Sequence, residues 1–185
     1  MILYRKTAAV AFAYGVDPKG RPNIIIGQIA DSKLSDKTVS KVYALPYIEI
    51  HFPHYEAVEY FKENADDPLS TLEVAREAVR KASNEGVTEL WVIAARQQLQ
   101  RCFRDLKMAV KQSGAKIKVN YFDESKYYPW KDWSSPNDPQ KRVRSWWKFL
   151  LLYEIPLRAL PFFAYQWLLE SKKPWISYLR KLVRW

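Results

Sequence analysis

The 185-residue chain has few of the residue types from which common catalytic and metal sites are built: one cysteine, two histidines and five glycines. Because Cys102 is the single cysteine, an internal disulfide and a cysteine-rich zinc site are excluded. The sequence contains no Gly-x-Gly-x-x-Gly, Walker A or Gly-x-Ser-x-Gly pattern. It therefore indicates no dinucleotide, P-loop or serine-hydrolase site and identifies no cofactor.

Long uncharged apolar runs are also missing. In the apolar stretch 142–169 the longest such run, Ala159 to Leu169, is about half of the ~20 residues that a membrane-spanning helix needs. The opening residues Met-Ile-Leu-Tyr-Arg-Lys lack the apolar core and small-residue cleavage site of a secretory signal. We therefore expect a cytoplasmic protein that is peripheral to the inner face of the membrane.

The positive charge is concentrated near the C-terminus. The net charge is +10; residues 1–125 hold 18 Lys/Arg against 16 Asp/Glu, and residues 126–185 hold 12 against 4. The net charges of the two parts are thus +2 and +8, and the second part holds seven of the eight tryptophans. This shift predicts an α/β domain over residues 1–125 and a basic aromatic segment over residues 126–185. The excess charge favours anionic partners.

The hydrophobic pattern predicts alternating strands and helices. We expect strands at Thr7–Tyr14, Asn23–Ile29, Val42–Ile50, Val87–Ala95 and Ala115–Phe122, and helices at Ser70–Ala82 and Gln97–Ser113. For Asn23–Ile29, a loop leading into a helix is the alternative. From Val42 onward this order predicts a mostly parallel sheet with helices on both faces. Ligands of such sheets bind beyond the carboxyl ends of the strands, here Tyr14–Pro22, Phe52–Ser70, Ala95–Gln98 and Asp123–Trp133.

The start of the predicted helix at Ser70 is one candidate site. Asp66, Asp67, Ser70 and Thr71 lie where free backbone N–H groups bind anions and where carboxylates hold metals. Asp67, Ser70 and Thr71 are also the weak catalytic candidates of the chain. Helix capping is the alternative, and we favour it for Ser70 and Thr71.

A second candidate site follows the strand Val87–Ala95. Arg96 and Arg101 lie on either side of Gln98 at the expected ligand-facing edge, where guanidinium groups grip phosphate. No His, Ser or Asp accompanies them as a base or nucleophile. Cys102 lies on the apolar side of the helix, so we interpret it as a small core residue.

Glu49, His51 and His54 form a third pattern, a His-x-x-His pair with an acid nearby. Zinc motifs normally add further His or Cys ligands to such a pair. We therefore favour two surface histidines in a proline-containing loop, and no metal is predicted.

The C-terminal segment mixes aromatic and basic residues, which is typical of a helix in the headgroup region of a membrane. The predicted membrane-interface residues are Trp167, Lys172, Lys173, Trp175, Arg180, Lys181 and Trp185. One alternative is base stacking on single-stranded nucleic acid. Another is that Trp146, Phe149, Leu150 and Tyr153 pack on the sheet as a final helix. We expect the first part of the segment to pack and the part from about Pro161 onward to meet the bilayer.

Several short motifs resemble those of the YdcF/SanA/ElyC-like family, also called DUF218. They are Asp17–Pro22, Ser70–Glu73, Leu99–Cys102, Arg144–Trp147 and Glu154–Pro156. The resemblance touches most of the chain and implies a Rossmann-like α/β sandwich. It also implies a bacterial protein that is often associated with the cell envelope, with a poorly defined activity.

The resemblance also assigns roles to individual positions. The family's acidic residue falls on Asp67, its Ser/Thr pair on Ser70 and Thr71, and its arginine on Arg101. The family's histidine falls on Gln98, which cannot act as a base, and Ala94 and Ala95 replace the usual reactive residues near the strand end. These departures favour a site that binds without turnover.

Three hypotheses follow from these patterns. The first is a membrane-associated, DUF218-like protein whose degenerate pocket binds an anionic, phosphorylated or lipid-linked ligand through Arg96, Gln98, Arg101, Ser70 and Thr71. The second is an active hydrolase or transferase on a phosphorylated or lipid-linked substrate, in which Asp67, Glu49, His51 and His54 converge. The third is a nucleic-acid-binding module.

Overall fold

The computed structural model describes residues 6–51, 53, 55–62 and 69–170. Within these residues five strands form one parallel sheet in the order β3-β2-β1-β4-β5. The strands are β1 (Thr7–Ala11), β2 (Lys41–Ala44), β3 (Val58–Tyr60), β4 (Glu89–Ile93) and β5 (Lys118–Tyr121). The helices are α1 (Arg21–Ser35), α2 (Thr71–Asn84), α3 (Leu99–Ser113), α4 (Trp146–Phe149), α5 (Ile155–Ala159) and α6 (Phe162–Glu170).

The central strand β1 divides the core into two layers. Ala8 and Val10 face α2 and α3, whereas Ala9 and Ala11 face α1 and the C-terminal segment. Successive side chains of a strand point to opposite faces, so a strand with apolar residues at every position must be covered on both sides. The Rossmann-like α/β sandwich predicted from the sequence is therefore confirmed.

The strand predicted at Asn23–Ile29 is wrong, because these residues belong to α1. Pro22 lies in the first turn, where its missing N–H removes no helical hydrogen bond. The buried residues Ile25, Ile26 and Ile29 recur at helical spacing, while Ile24 remains partly exposed. The three consecutive isoleucines favoured a strand locally, and packing of one helix face against the sheet outweighed that preference.

The predictions for α2 and α3 are confirmed within a few residues. Ser70 caps α2 in a capping box with Glu73: its hydroxyl receives the Glu73 N–H, and the Glu73 carboxylate receives the Ser70 N–H. Gly86 and Gly114, with φ of +69° and +70°, follow the ends of the two helices, as glycine commonly does. The Val42–Ile50 strand is shorter than predicted, since β2 ends at Ala44.

The C-terminal segment packs on the sheet up to Glu154 and continues beyond it. Trp133, Val143 and Phe149 are buried in the layer that faces α1. A single π-helical turn, Leu150–Glu154, joins α4 to α5 and carries Glu154 into the interior. A π turn inserts one extra residue into a helix and is frequent at functional sites.

Candidate functional site

A pocket of about 90 Å³ lies beyond the carboxyl ends of β1 and β2. Its walls come from the loop after β1, the starts of α2 and α3, and the C-terminal segment. The polar side chains that line it belong to Tyr14, Tyr47, Ser70, Thr71, Gln98, Arg101, Gln140, Arg142, Tyr153 and Tyr165. This position agrees with the edge at which parallel sheets bind ligands. The pocket brings together four of the five predicted ligand-binding residues.

Ser70 and Thr71 perform different tasks at the start of α2. The Ser70 hydroxyl caps the helix and donates to the Glu73 carboxylate at 2.6 Å. The Thr71 hydroxyl donates to Oδ2 of Asp105 at 2.7 Å and accepts from Arg101 Nη1 at 2.8 Å. Capping therefore explains Ser70, as the sequence favoured. Thr71 instead joins α2 to α3 through a buried polar contact.

Arg101 is held by a buried carboxylate that the C-terminal segment supplies. Oε1 of Glu154 lies 2.7 Å from Nε and 2.6 Å from Nη2 of Arg101. Glu154 is fully buried, and Arg158 lies 3.4 Å from its other oxygen. Burial is the largest single influence on Arg101 and opposes its charge, but the Glu154 carboxylate together with Tyr165 and Cys102 outweighs burial, so the pKa of Arg101 lies well above its ordinary value. Arg101 is thus a permanent cation whose charge is partly balanced.

Arg142 is a second guanidinium in the same pocket, and its charge is not balanced in this way. Its Nη2 donates to the Gln140 side chain at 3.2 Å, and its buried Nε has no hydrogen-bond partner. Among the described residues no carboxylate lies within ion-pair distance of it. Burial, and then the positive charge of Arg101, lower the pKa of Arg142 below its ordinary value. Arg142 nevertheless stays protonated at neutral pH.

Gln98 and Arg96 follow β4 but point to different surroundings. The Gln98 amide is buried and donates to the backbone carbonyls of Phe12 and Ala13, at 3.4 and 3.1 Å. Gln98 therefore ties α3 to the loop after β1 while it lines the pocket. The Arg96 guanidinium lies 4.2 Å from the ring centre of Trp130, which stacks in turn on Trp146. Arg96 does not line the pocket, so its predicted ligand contact finds no support there.

The Asp138 carboxylate accepts hydrogen bonds from backbone N–H groups of the loop after β1. Its Oδ2 accepts the N–H groups of Val16 and Asp17, each at 3.0 Å, and Oδ1 accepts that of Gln140 at 2.7 Å. Phosphate-binding Rossmann proteins use the N–H groups of this loop to hold the ligand. Here a buried carboxylate of the same chain fills that position, so the positive charge available to an anion comes from Arg101 and Arg142.

The predicted metal and acid–base residues are not brought together among the described residues. Glu49 and His51 are exposed and do not line the pocket. Asp66, Asp67 and His54 lie outside the described residues. The described residues contain no cluster of three or more His, Cys, Asp or Glu side chains suited to a metal ion.

Of the predicted membrane-interface residues, Trp167 is described and is 49% exposed on α6. Lys172, Lys173, Trp175, Arg180, Lys181 and Trp185 lie outside the described residues. None of the helices in the described ranges combines the length and apolar character needed to cross a membrane. The stretch after Pro161 does not project as a whole, because Tyr165 and Leu169 are buried against Leu72 and Leu157.

Sequence reasoning missed the contribution of the C-terminal segment to the pocket. Arg142, Glu154 and Tyr165 lie outside the four loops that the strand order places at the ligand-facing edge. One signal was present, since Lys141-Arg142-Val143-Arg144 is a basic run with a buried valine inside it. Of the three cations in this run, only Arg142 lines the pocket. Tertiary packing decides this, and the sequence pattern does not predict it.

The comparisons with known proteins add no relative. No family model matches the chain, and a search of the curated proteins finds no significant match.

Proposed function

We propose that the pocket binds a small ligand with a phosphate or similar anionic group and holds it without turnover. The observation that carries the proposal is Arg142, a partly buried guanidinium whose Nε is buried without a hydrogen-bond partner and which has no carboxylate partner in the described part of the chain. An isolated buried charge is costly, and the cost falls when a counter-ion and its hydrogen bonds are supplied. An anion between Arg142 and Arg101 would supply both.

The remaining lining residues fit the same ligand. The Tyr153 hydroxyl can donate to an anionic oxygen, and among the described residues that line the pocket no carboxylate would repel the ligand. The lining also includes no histidine or cysteine, since Gln98 stands where the family resemblance places a histidine. Binding without turnover is therefore the function that these side chains support best.

Calorimetric titration with inorganic phosphate and with pyrophosphate tests the pocket. We expect saturable binding by the native chain and affinity about tenfold to a hundredfold lower in Arg142→Met, because a charge-assisted hydrogen bond contributes about 1.5–3 kcal/mol. Arg96→Met removes the same charge outside the pocket and should leave the affinity unchanged. Equal affinities of the native chain and Arg142→Met would contradict the proposal.

A hydrolase or transferase is the second candidate, and one contact favours it. The Thr71 hydroxyl donates to Asp105 at 2.7 Å, which is the arrangement of a nucleophile beside a base. Burial raises the pKa of Asp105, which brings it closer to that of a useful base. Hydrolysis of p-nitrophenyl phosphate that disappears in Thr71→Val would establish turnover and overturn binding alone.

We also propose that the C-terminal segment associates with an anionic membrane surface from the cytoplasmic side, in a protein related to the DUF218 family. The net charge of +8 over residues 126–185 and the exposure of Trp167 support the association. The full chain should sediment with vesicles that contain phosphatidylglycerol and far less with vesicles of phosphatidylcholine alone. Equal sedimentation with both would contradict an electrostatic attachment.

A further inference from the structure

The exposed side of helices α4 to α6 is almost entirely apolar. Between residues 146 and 169 ten residues are exposed, and Lys148 is the one charged residue among them. The other nine are Trp147, Leu151, Leu152, Ile155, Pro156, Ala159, Pro161, Phe163 and Trp167. We call this set the outer face. Nine exposed apolar residues on consecutive helices are costly in water and mark an interaction site.

We infer that the outer face docks on an anionic lipid bilayer, with Trp147, Leu151, Leu152 and Ile155 at the boundary between headgroups and acyl chains. This inference rests on the membrane association proposed above. It extends the contact to α4, the π turn and α5, which the sequence alone assigns to packing on the sheet.

The opposite side of the same helices is fixed to the domain. Phe149, Leu157 and Tyr165 are buried, and Glu154 is paired with Arg101. The outward residues Leu151 and Leu152, which are 53% and 65% exposed, therefore cannot turn inward without breaking a buried ion pair. Their exposure is a consequence of the fold.

The positive charge of the C-terminal segment favours a bilayer as the occupant of the outer face. Exposed Lys141, Arg144 and Lys148 lie before or within it. The sequence that follows α6 adds Lys172, Lys173, Arg180, Lys181 and Arg184 and no acidic residue. A second copy of the chain would bring like charges together, whereas anionic headgroups would neutralise them. Nucleic acid would leave the exposed leucines in water.

Docking in this orientation has a consequence for the pocket. Phe149, Tyr153 and Leu157 line the pocket from the helices that carry the outer face. The pocket would then lie within about one helix diameter, ~10 Å, of the headgroup layer.

Vesicle sedimentation of the full chain with a paired set of variants tests the inference. Leu151→Gln with Leu152→Gln removes apolar area from the outer face without changing charge. Ile24→Gln with Tyr127→Gln does the same at exposed apolar residues on other elements. On vesicles containing phosphatidylglycerol we expect partitioning at least about tenfold weaker for the first pair and nearly unchanged for the second.

A second measurement locates the contact directly. An environment-sensitive dye on Leu152→Cys should shift to shorter emission wavelengths on vesicles, and buried Cys102 should not compete for the label. Partitioning unchanged by the Leu151/Leu152 pair, or a dye that does not shift, would overturn the inference. So would dimerisation or single-stranded DNA binding that the same pair abolishes. If the native chain does not bind the vesicles at all, the proposed membrane association is wrong. The phosphate titration tests the pocket independently of that result.

Discussion

The Glu154 carboxylate lies 2.6–2.7 Å from two guanidinium nitrogens of Arg101 in the interior of the protein. The two residues are 53 positions apart, one on α3 and the other at the end of the π turn. Their pairing joins the C-terminal segment to the domain and orients Arg101 at the edge of the pocket. The same pair also holds Leu151 and Leu152 on the outer face.

Replacing Glu154 with glutamine should destabilise the protein strongly. The substitution keeps the shape of the side chain but leaves Arg101 buried beside a neutral amide, for which we expect a loss of about 3–5 kcal/mol in the free energy of unfolding. Chemical denaturation measures this. Asp123→Asn breaks a solvent-exposed pair with Lys126 and should have little effect on the same free energy. Similar losses of unfolding free energy in the two variants would show that the buried pair contributes no more to stability than the exposed pair.

Gly15→Ala and Gly86→Ala should differ sharply although both glycines have positive φ, +81° and +69°. A Cβ at Gly86 meets nothing within 4 Å, so only the backbone conformation is penalised, by about 1–2 kcal/mol. A Cβ at Gly15 would lie 2.1 Å from Oδ2 of Asp138. We expect Gly15→Ala to cost at least about 2 kcal/mol more in thermal or chemical unfolding. Equal losses would mean that Asp138 does not hold the loop after β1.

Asp105→Asn should change how stability depends on pH. Burial raises the pKa of Asp105, so near and above its ordinary pKa the native state retains a proton that the unfolded state has lost. Stability of the native chain therefore falls as pH rises from about 4 through the raised pKa, by about 1.4 kcal/mol for each pH unit between the two pKa values. Asparagine does not titrate, so the unfolding free energy of the variant, relative to the native chain, should increase over this range.

Asp36→Asn provides the opposite case for comparison. Hydrogen bonding to Thr38 lowers the pKa of Asp36, so its carboxylate stabilises the native state above its ordinary pKa, and the effect is lost as pH falls. The relative stability of Asp36→Asn should therefore decrease as pH rises. Denaturation experiments between about pH 3 and 7 measure the unfolding free energy of each variant relative to the native chain. If this difference changes with pH in the same direction for both variants, the burial argument for Asp105 is wrong.

Cys102 should be unreactive in the native protein. It is fully buried, and burial raises the pKa of its thiol well above the ordinary value, so little thiolate forms. A disulfide reagent such as Ellman's reagent should release one equivalent of thiol only when the chain is unfolded in guanidinium. Rapid labelling under native conditions would contradict the core position of Cys102.

Periodic patterns in the sequence predicted the elements whose apolar residues recur at the spacing of a helix or fill a buried strand. The 3.6-residue spacing of α2, its Ser70 cap and the apolar run of β4 depend on neighbours along the chain, so they could be read without a structure. The run Ile24-Ile25-Ile26 could not be assigned in this way, because three β-branched residues favour a strand locally, whereas in α1 only Ile25 and Ile26 are buried. Only packing against the sheet decided in favour of α1.

For the site, the sequence by itself indicated the edge of the sheet at which the pocket lies, because parallel strands carry their carboxyl ends to one side. Leu45 and Tyr47 nevertheless line the pocket from outside the predicted loops, and no residue of Asp123–Trp133 lines it. The sequence also determined that histidine and cysteine are scarce in the chain. Tertiary structure decided which cations serve the pocket: Arg142 enters it, whereas Arg96 stacks on Trp130. The reason is physical. Whether a cation enters a pocket depends on how elements that are distant in the chain pack together, and no local pattern encodes that packing.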